Sequence, residues 1–301
     1  MVQQTTHRIR PGMLIAGMGG AARDALQVFD SKCNDDTPFP YHIIHIDTEP
    51  TTLKGIDSLT LHLETEELKA TIGNAALFGP DVAHIVNELH EYLDKNDVKN
   101  GSRTLRALTQ FNYQRHRVEI INKLRAGIDV LKSQRLTSII PITVSSSGGG
   151  TGSALQILLN RDLAKPEFRA EVMMAIPESQ LEASIAMFAD PFSLARQNDK
   201  QQSDRIMANS YATRIEMQPL LKSKAVQYAF HLGYSNDTGT VLSTKEQMAA
   251  VFGGSLYHLL QAWSDIKPRL VDGTDCHSIS AKYSGTDTIE FHQLRYEGDV
   301  Q

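Results

Sequence analysis

The chain has 301 residues, of which 41% are hydrophobic and 22% charged, and its formal net charge is -5. This composition supports one large or two ordinary folded domains and excludes a disordered or collagen-like chain. The absence of a basic excess excludes direct nucleic-acid binding as the primary role, because a phosphate backbone needs many cationic side chains to neutralise it.

The first predicted unit is a strand, a glycine turn and a helix near the N-terminus. Met13 to Ala16 is a short apolar run, Gly17 to Gly20 forms a turn, and Ala21 to Phe29 has apolar residues at helical spacing. Tyr41 to Asp47 predicts a second strand with an acid at its carboxyl end. This order favours parallel βαβ winding.

A second unit of the same kind is predicted in the middle of the chain. Residues 53–100 are polar and acidic, with a helix predicted at Asp81 to Leu93, and Arg103 to Leu131 predicts one or two helices. Ser138 to Val144 then reads as a strand that enters a glycine-rich loop, Ser145 to Ser153, before an apolar helix. The succession of strand, glycine loop and helix therefore occurs twice.

The remaining elements are less distinctive. Strands are predicted at Glu171 to Ile176, Val226 to Tyr234 and Thr286 to Leu294. A helix is predicted at Asp204 to Leu221, and a longer helix, which opens on a capping box, is predicted at Ser243 to about Trp263.

Both glycine loops are able to hold an anion. A strand-to-helix turn exposes backbone amides, and the helix end adds about half a positive charge. The loop at Gly17 to Gly20 also fits a packing turn, or a dinucleotide site with Asp47 on a ribose hydroxyl. The loop at Gly148 to Gly152 has four glycines around Thr151, which costs backbone entropy without a gain in packing. No Gly-Lys-Ser/Thr follows, so the lysine-bearing phosphate loop is excluded.

The second loop carries a resemblance to a known family. The motif GGGTGS at Gly148 to Ser153 resembles the glycine signature of the tubulin/FtsZ superfamily, and the order of elements resembles the short bacterial tubulin-like proteins. Ile15 to Leu26 and Ile46 to Glu49 lie where those proteins place their first two nucleotide loops. Arg205 to Met217 resembles the helix whose asparagine reads guanine, and His231 to Ser243 resembles the start of their second domain.

The resemblance implies a fold, a division into domains and a ligand. The expected fold is α/β: a Rossmann-like GTPase domain with a parallel sheet at 1–202, a central helix at 203–224 and a smaller α+β second domain at 225–301. The expected ligands are GTP or GDP with nucleotide-bound Mg²⁺, and no metal held by the protein alone. The implied nucleotide-binding residues are Gly17, Gly19, Gly20, Asp47, Glu49, Ser147, Gly148, Gly149, Gly150, Thr151, Gly152, Ser153 and Asn209.

The resemblance also implies a role for Glu216. In this superfamily an acidic loop of one subunit completes the site of its neighbour, so head-to-tail assembly into filaments switches hydrolysis on. Glu216 lies seven residues after Asn209, near the same helix face. In this arrangement Asn209 would read the guanine bound to its own subunit, and Glu216 would polarise the attacking water in the site of the neighbouring subunit. An ordinary solvated helix charge is the other interpretation of Glu216.

Alternatives to a filament-forming GTPase stay open. One is a GTP-binding scaffold for protein partners with little or no hydrolysis, which is favoured by Gln218, where relatives often carry aspartate, and by the chain's end at Gln301. Another is a dinucleotide-dependent oxidoreductase, which leaves the second loop unexplained.

The sequence also predicts where the protein works. Two cysteines, Cys33 and Cys276, are too few for a disulfide framework, and Met1 to Pro11 lacks the apolar core of a signal sequence. No stretch approaches the roughly 20 apolar residues that span a bilayer. We therefore expect a cytoplasmic protein that does not insert into membranes.

Overall fold

The protein is an α/β structure built on one eight-stranded sheet. The computed structural model describes residues 11–34, 37–50, 53–61, 65–73, 86, 89–90, 93, 102, 104–134, 136–173, 181–196, 198–235, 239–264, 280–283 and 291–294. The strands within these residues are β1 (Gly12–Met18), β2 (Tyr41–Asp47), β3 (Asp57–Thr60), β4 (Ile139–Ser146), β5 (Ser184–Ala189), β6 (Val226–Leu232), β7 (Ser280–Tyr283) and β8 (Phe291–Leu294).

The helices lie mainly between successive strands, as in a chain of βαβ units. Those in the described residues are α1 (Gly20–Lys32), α2 (Thr65–Ile72), α3 (Arg106–Arg115), α4 (Arg117–Lys132), α5 (Gly150–Leu163), α6 (Pro166–Met173), α7 (Phe192–Arg196), α8 (Lys200–Lys222) and α9 (Lys245–Gln261). None of these helices has both the length and the apolar character needed to cross a lipid bilayer.

The strand order is β3-β2-β1-β4-β5-β6-β8-β7, and every pair is parallel except β7 with β8. The predicted fold class, α/β with a parallel sheet, is therefore confirmed. The strands β6 and β8 come from the part predicted as a second domain, 225–301, and they continue the sheet begun by β1 to β5. The division into two domains stays a prediction.

Helices cover both faces of the sheet, so the central strands are buried on both sides. Every residue of β1 and of β4 is buried, as parallel strands between two helical layers require. On one face, Met13 and Ile15 of β1 join a core with α1 and α9, and on the other, Leu14 joins a core with α4 and α5. Parallel pairing brings the carboxyl ends of β1, β2, β4 and β5 to one edge.

Two predicted elements differ from the structure. The predicted strand at Glu171 to Ile176 is wrong, because Glu171–Met173 is the end of α6 and 174–180 lies outside the described residues. Its apolar residues pack with Phe168 as one helical face, following a proline at the first helical position. The capping box is also one residue later than predicted, with Thr244 as the cap and Gln247 as its partner.

The other predicted elements in the described residues are found. The helix predicted at Asp204 to Leu221 is α8, and the strand predicted at Val226 to Tyr234 is β6. Most of the helix predicted at Asp81 to Leu93 lies outside the described residues, as does Cys276.

Candidate functional site

A cleft of about 540 Å³ opens at the carboxyl edge of the sheet. Its walls come from the loops after β1, β2, β4 and β5, from the residues before α3 and from the first turns of α8 and α9. The lining residues are Met18, Gly19, Gly20, Ala21, Arg23, Asp24, Asp47, Glu49, Ser102, Thr104, Ser146, Gly149, Gly150, Thr151, Gly152, Ala189, Asp190, Pro191, Gln202, Thr244, Lys245, Met248 and Ala249.

The first glycine loop requires glycine for its backbone shape. Gly19 has a φ of 77°, which L side chains rarely adopt, and its amide donates to the carbonyl of Ile46 at 3.0 Å. A Cβ there would lie 3.1 Å from the backbone nitrogen of Gly152. Gly20 opens α1, and a Cβ there would meet nothing within 4 Å. The loop therefore packs on the second glycine loop at Gly19 and is open at Gly20.

The second glycine loop has the same division between packed and open positions. A Cβ on Gly152 would lie 2.7 Å from the carbonyl oxygen of Met18, and one on Gly150 only 2.4 Å from the Ser102 hydroxyl oxygen. Gly149 lines the cleft and has open space where its Cβ would be. The two loops thus contact each other, and the N-termini of α1 and α5, neither of which has a side-chain cap, lie at one cleft.

A cluster of hydroxyl groups joins three of the walls. The Oγ1 atom of Thr151 lies 2.6 Å from Oγ1 of Thr48 and 3.0 Å from Oγ of Ser102. Thr151 lies in the first turn of α5, Thr48 follows β2, and Ser102 precedes α3. Neither Thr48 nor Ser102 was predicted as a site residue, although Thr48 lies within the predicted nucleotide loop Ile46 to Glu49.

Asp47 presents a buried carboxylate at the end of β2. It is 4% exposed, and its Oδ1 atom accepts from the amides of Thr48 at 2.7 Å and Glu49 at 3.3 Å. Its Oδ2 atom has no hydrogen-bond partner in the described residues. Burial raises the pKa of Asp47 to about 6, only partly opposed by the two amides.

His45 supports the same region from within the sheet. Its Nε2 atom lies 3.3 Å from the carbonyl oxygen of Gly19 and 3.8 Å from Oδ2 of Asp47. Burial lowers the pKa of His45, so the ring is neutral at pH 7 and donates one N–H. A neutral ring leaves the Asp47 carboxylate without a compensating charge on that side.

The remaining walls, formed after β5 and at the start of α9, contain none of the residues predicted to bind the nucleotide. Asp190 and Pro191 follow β5, while Thr244 and Met248 belong to the first turns of α9. Asp190 accepts from the amide of Phe192 at 2.8 Å, and burial raises its pKa. The capping box at Thr244 was visible in the sequence, but nothing there indicated that the start of α9 faces the glycine loops.

Asn209 does not line the cleft. It is 8% exposed, and its Nδ2 atom donates to the carbonyl oxygens of Thr104 at 2.9 Å and Gly148 at 3.2 Å. These two bonds tie α8 to the second glycine loop and to the segment before α3. Ser147 is held in the same way, since its carbonyl oxygen accepts from the Thr213 hydroxyl at 3.0 Å.

Glu216 is paired with an arginine on the side of α8 that meets α3. Both of its oxygens accept from the guanidinium group of Arg106, one at 3.2 Å and the other in a shorter contact. The Arg106 side chain is only 12% exposed and also donates to the carbonyl of Ser153 at 3.4 Å. The Glu216 carboxylate is 34% exposed.

The structure therefore divides the residues predicted to bind a nucleotide. Those that line the cleft together are Gly19, Gly20, Asp47, Glu49, Gly149, Gly150, Thr151 and Gly152. Those outside the lining are Gly17, Ser147, Gly148, Ser153 and Asn209. Gly17 and Gly148 have packing reasons to be glycine, because a Cβ would lie 2.2 Å from Leu26 Cδ1 at the first and 2.4 Å from Pro191 Cβ at the second.

The cleft carries more negative than positive side chains. Its described lining includes four carboxylates, on Asp24, Asp47, Glu49 and Asp190, against the cations Arg23 and Lys245. Within the described residues no group of three or more histidine, cysteine or acidic side chains is placed to hold a metal ion. Positive potential for an anion therefore comes mainly from helix ends and backbone amides.

Comparison with known proteins gives matches among solved structures alone. No family model matches the chain. No curated protein matches it either.

The chain is similar to CetZ2 from Haloferax volcanii, described as a GTPγS-bound protofilament, with 12% identity and a TM-score of 0.48 over 83% of this chain and 58% of that one. It is similar to the GDP-bound monomer of CetZ1 from Haloferax volcanii, with 10% identity and a TM-score of 0.49 over 87% of this chain and 64% of that one. It is also similar to TubZ of the Clostridium botulinum phage c-st, with 11% identity and a TM-score of 0.44 over 82% of this chain and 58% of that one.

CetZ and TubZ are proteins of the tubulin/FtsZ superfamily, the one that the glycine signature resembles. The chain spans less than two thirds of the length of each of these three proteins.

Proposed function

We propose that the protein binds GTP and GDP in the cleft, as a tubulin-like protein of the cytoplasm. The observation that carries the proposal is the contact between Gly19 and Gly152, which sets the starts of α1 and α5 side by side. Two helix N-termini, with open space where a Cβ would be at Gly20 and Gly149, suit the phosphates of one nucleotide. An acidic cleft without a phosphate-loop lysine needs this backbone source of positive potential.

The purine would lie against the remaining walls of the cleft. Pro191, Met248 and Ala249 offer apolar surface for a ring face, and Thr244 and Gln202 offer hydrogen-bonding groups for its edge. The predicted contact of Asn209 with guanine would require its Nδ2 atom to leave two backbone carbonyls. We therefore propose that Asn209 positions the second glycine loop.

Magnesium fits the site as an ion carried by the nucleotide. It would take most ligands from phosphate oxygens and water, as Mg²⁺ usually does, and would neutralise phosphate charge. The unpartnered Oδ2 atom of Asp47 is able to accept from a ribose hydroxyl or an ion-bound water. The amides of both glycine loops would orient the terminal phosphate and stabilise charge that develops on it.

Self-assembly and hydrolysis form the finer part of the proposal. We propose that subunits associate head to tail into filaments and that a neighbour's Glu216 polarises the attacking water. The Arg106 pair holds Glu216 within its own subunit, so this role requires the pair to open. The same pair favours the second candidate function, a GTP-binding scaffold with little or no hydrolysis.

One experiment separates these functions. Calorimetry with GTP, GDP, ATP and NAD⁺ in magnesium buffer should detect heat with the guanine nucleotides; no heat with GTP or GDP overturns the proposal. Phosphate release and light scattering are then followed across protein concentrations. A filament GTPase shows turnover that rises faster than linearly with concentration, whereas a scaffold binds GTP with flat, negligible release.

Glu216→Gln tests the proposed catalytic role. The variant should keep its affinity for GTP and lose concentration-dependent phosphate release. The matched control is Glu171→Gln, which removes a half-exposed carboxylate 3.6 Å from Arg117, away from the cleft. Undiminished release in Glu216→Gln would remove Glu216 from the mechanism and leave nucleotide binding untouched.

A further inference from the structure

Helix α8 has apolar residues on two opposite faces. The inner face buries Ile206, Ser210, Thr213, Met217 and Leu220, which recur at intervals of four and three residues. This is the spacing of a helix packed along its length. The inner face therefore accounts for the attachment of α8 to the sheet and leaves the outer face to be explained.

The outer face repeats the same spacing. The positions Asp204, Ala208, Tyr211, Ile215, Gln218 and Lys222 recur at intervals of four, three, four, three and four residues, and all but the partly buried Gln218 are exposed. We call these six residues the outer seam. Tyr211 is 69% and Ile215 44% exposed, and Met207 beside them is 44% exposed. Three of the six large apolar side chains that are exposed in the described residues thus lie together on this helix.

The middle of the outer seam is apolar, at Ala208, Tyr211 and Ile215. Exposed apolar residues at heptad spacing are typical of a helix that packs on another helix. The charges at its ends indicate which one. Asp204 lies near the start of the seam and Lys222 at its end, and neither makes an ion pair within the described part of the chain. An antiparallel copy of the same helix brings opposite charges together at both ends.

The register follows from the sequence. When two copies of α8 run antiparallel about a dyad at Thr213, Tyr211 of one faces Ile215 of the other, and Asp204 faces Lys222 of the other. Both pairs occur twice because the contact is isologous. A parallel pair would instead set Asp204 against Asp204 and Lys222 against Lys222, which repels.

We infer that the outer seam of α8 is a dimerisation surface, which binds a second copy of this chain in antiparallel orientation. This contact is separate from the head-to-tail association proposed above, because an isologous contact closes on itself and forms a pair. It does not depend on nucleotide, since none of the six seam residues lines the cleft.

The test is sedimentation velocity of the full chain without nucleotide, over a concentration range from micromolar to hundreds of micromolar. The wild type should shift from monomer to dimer. Tyr211→Arg should raise the dissociation constant at least about ten-fold, because it places a charge at the centre of the contact. The matched control is Val118→Arg, at a position on α4 that is 66% exposed, and it should dimerise like the wild type.

Charge reversal tests the orientation. Asp204→Lys and Lys222→Asp should each raise the dissociation constant about ten-fold, since each sets like charges together twice. The double variant should dimerise like the wild type, and so should an equimolar mixture of the two single variants. Far-UV circular dichroism checks that each variant is folded.

Three results overturn the inference. A wild type that stays monomeric at every concentration removes the contact, and a dimer that survives Tyr211→Arg lies elsewhere on the molecule. A dimer that is lost in the single charge variants but not restored in the double variant excludes the antiparallel register. Because nucleotide is absent, none of these results bears on whether the cleft binds GTP.

Discussion

Thr48 and Thr151 are 103 residues apart in the chain, and their hydroxyl oxygens lie 2.6 Å apart beside the cleft, which Thr151 lines. The contact joins the loop after β2 to the first turn of α5. Ser102, 3.0 Å from the same Thr151 oxygen, adds the segment before α3. One hydroxyl group thus fixes the position of the second glycine loop relative to two other walls.

Thr151→Val should weaken GTP binding. The substitution keeps the side chain's shape but removes the hydroxyl, leaving Thr48 and Ser102 without their shared partner. An unsatisfied buried polar group costs about 1–3 kcal/mol. The free loop relieves this cost by shifting, and GTP binding has to restore the loop, so a loss of affinity of up to about ten-fold is expected. Calorimetry measures it, with Thr151→Ser as the control that retains the hydroxyl. Equal affinity in the valine and serine variants would show that the hydroxyl cluster does not shape the site.

The glycines of the second loop should differ in what they affect. Gly149→Ala should fold normally, because its φ of -69° suits alanine and its Cβ meets no protein atom within 4 Å, yet it should lower GTP affinity by filling cleft space. Gly148→Ala should instead lose stability, since its Cβ would lie 2.4 Å from Pro191. Thermal melting and nucleotide titration of both variants compare them. A Gly149→Ala variant with unchanged affinity would argue against phosphates at this loop.

The buried carboxylate of Asp47 should make stability depend on pH. Its pKa is raised from 3.8 to about 6 on folding, so the folded state binds the proton more tightly than the unfolded state. The resulting cost is absent below about pH 3.8, grows as pH rises and is complete above about pH 6. Two pH units correspond to a cost on the order of 3 kcal/mol.

Asp47→Asn should therefore stabilise the protein at pH 7.5 and lose this advantage by pH 4. Urea unfolding of wild type and variant at both pH values measures the difference, because effects common to the two proteins cancel. An exposed carboxylate on α4 supplies the control, Asp129→Asn. A stabilisation of equal size at the two pH values would contradict the burial of an ionisable Asp47.

Asn209→Ala should weaken binding without changing the preference for guanine. Its side chain donates to the carbonyls of Gly148 and Thr104, so its loss frees the second glycine loop. We expect similar losses of affinity for GTP and for ITP, which lacks the exocyclic amino group of guanine. The control on the same helix is the exposed Gln201→Ala. A selective loss for GTP would instead show that Asn209 reads the base.

The pair between Arg106 and Glu216 should contribute to stability. Arg106→Gln leaves the partly exposed Glu216 without its cation, whereas Glu216→Gln leaves a largely buried guanidinium without its anion. The second change should cost more, about 1–2 kcal/mol after allowance for solvent at Glu216. Urea unfolding of the two single variants and the double variant measures the coupling. A coupling energy of zero would show that the pair is only a surface contact.

Several parts of the fold were readable because their signals are local. β2 at Tyr41–Asp47 was predicted with its observed bounds, since an apolar run between turn residues needs no tertiary context. The strand predicted at Glu171 to Ile176 failed for the opposite reason. Its apolar residues suit a helix face or a buried strand equally, and only packing around Phe168 decided between them.

Only the part of the site that belongs to a sequence motif could be predicted. Eight of the predicted residues line the cleft. Six belong to the two glycine loops, and the other two are Asp47, the last residue of β2, and Glu49 in the loop that follows. The walls at Pro191 and Thr244 carry no glycine loop, and the capping box at Thr244 marks only the start of a helix, so their approach to the cleft was not predicted. The buried pairing of Asn209 was equally invisible, because a helix pattern does not say which neighbour a carboxamide meets.

The sequence by itself determined that two strand, glycine and helix units exist and that the strands pair in parallel, because apolar periodicity and glycine placement act over a few residues. Only the tertiary structure decided which residues share the cleft. The contact of Gly19 with Gly152, the joining of Thr48 to Thr151 and the pairing of Arg106 with Glu216 all link segments distant along the chain. Such contacts depend on how the layers pack, and close packing is a property of the whole fold.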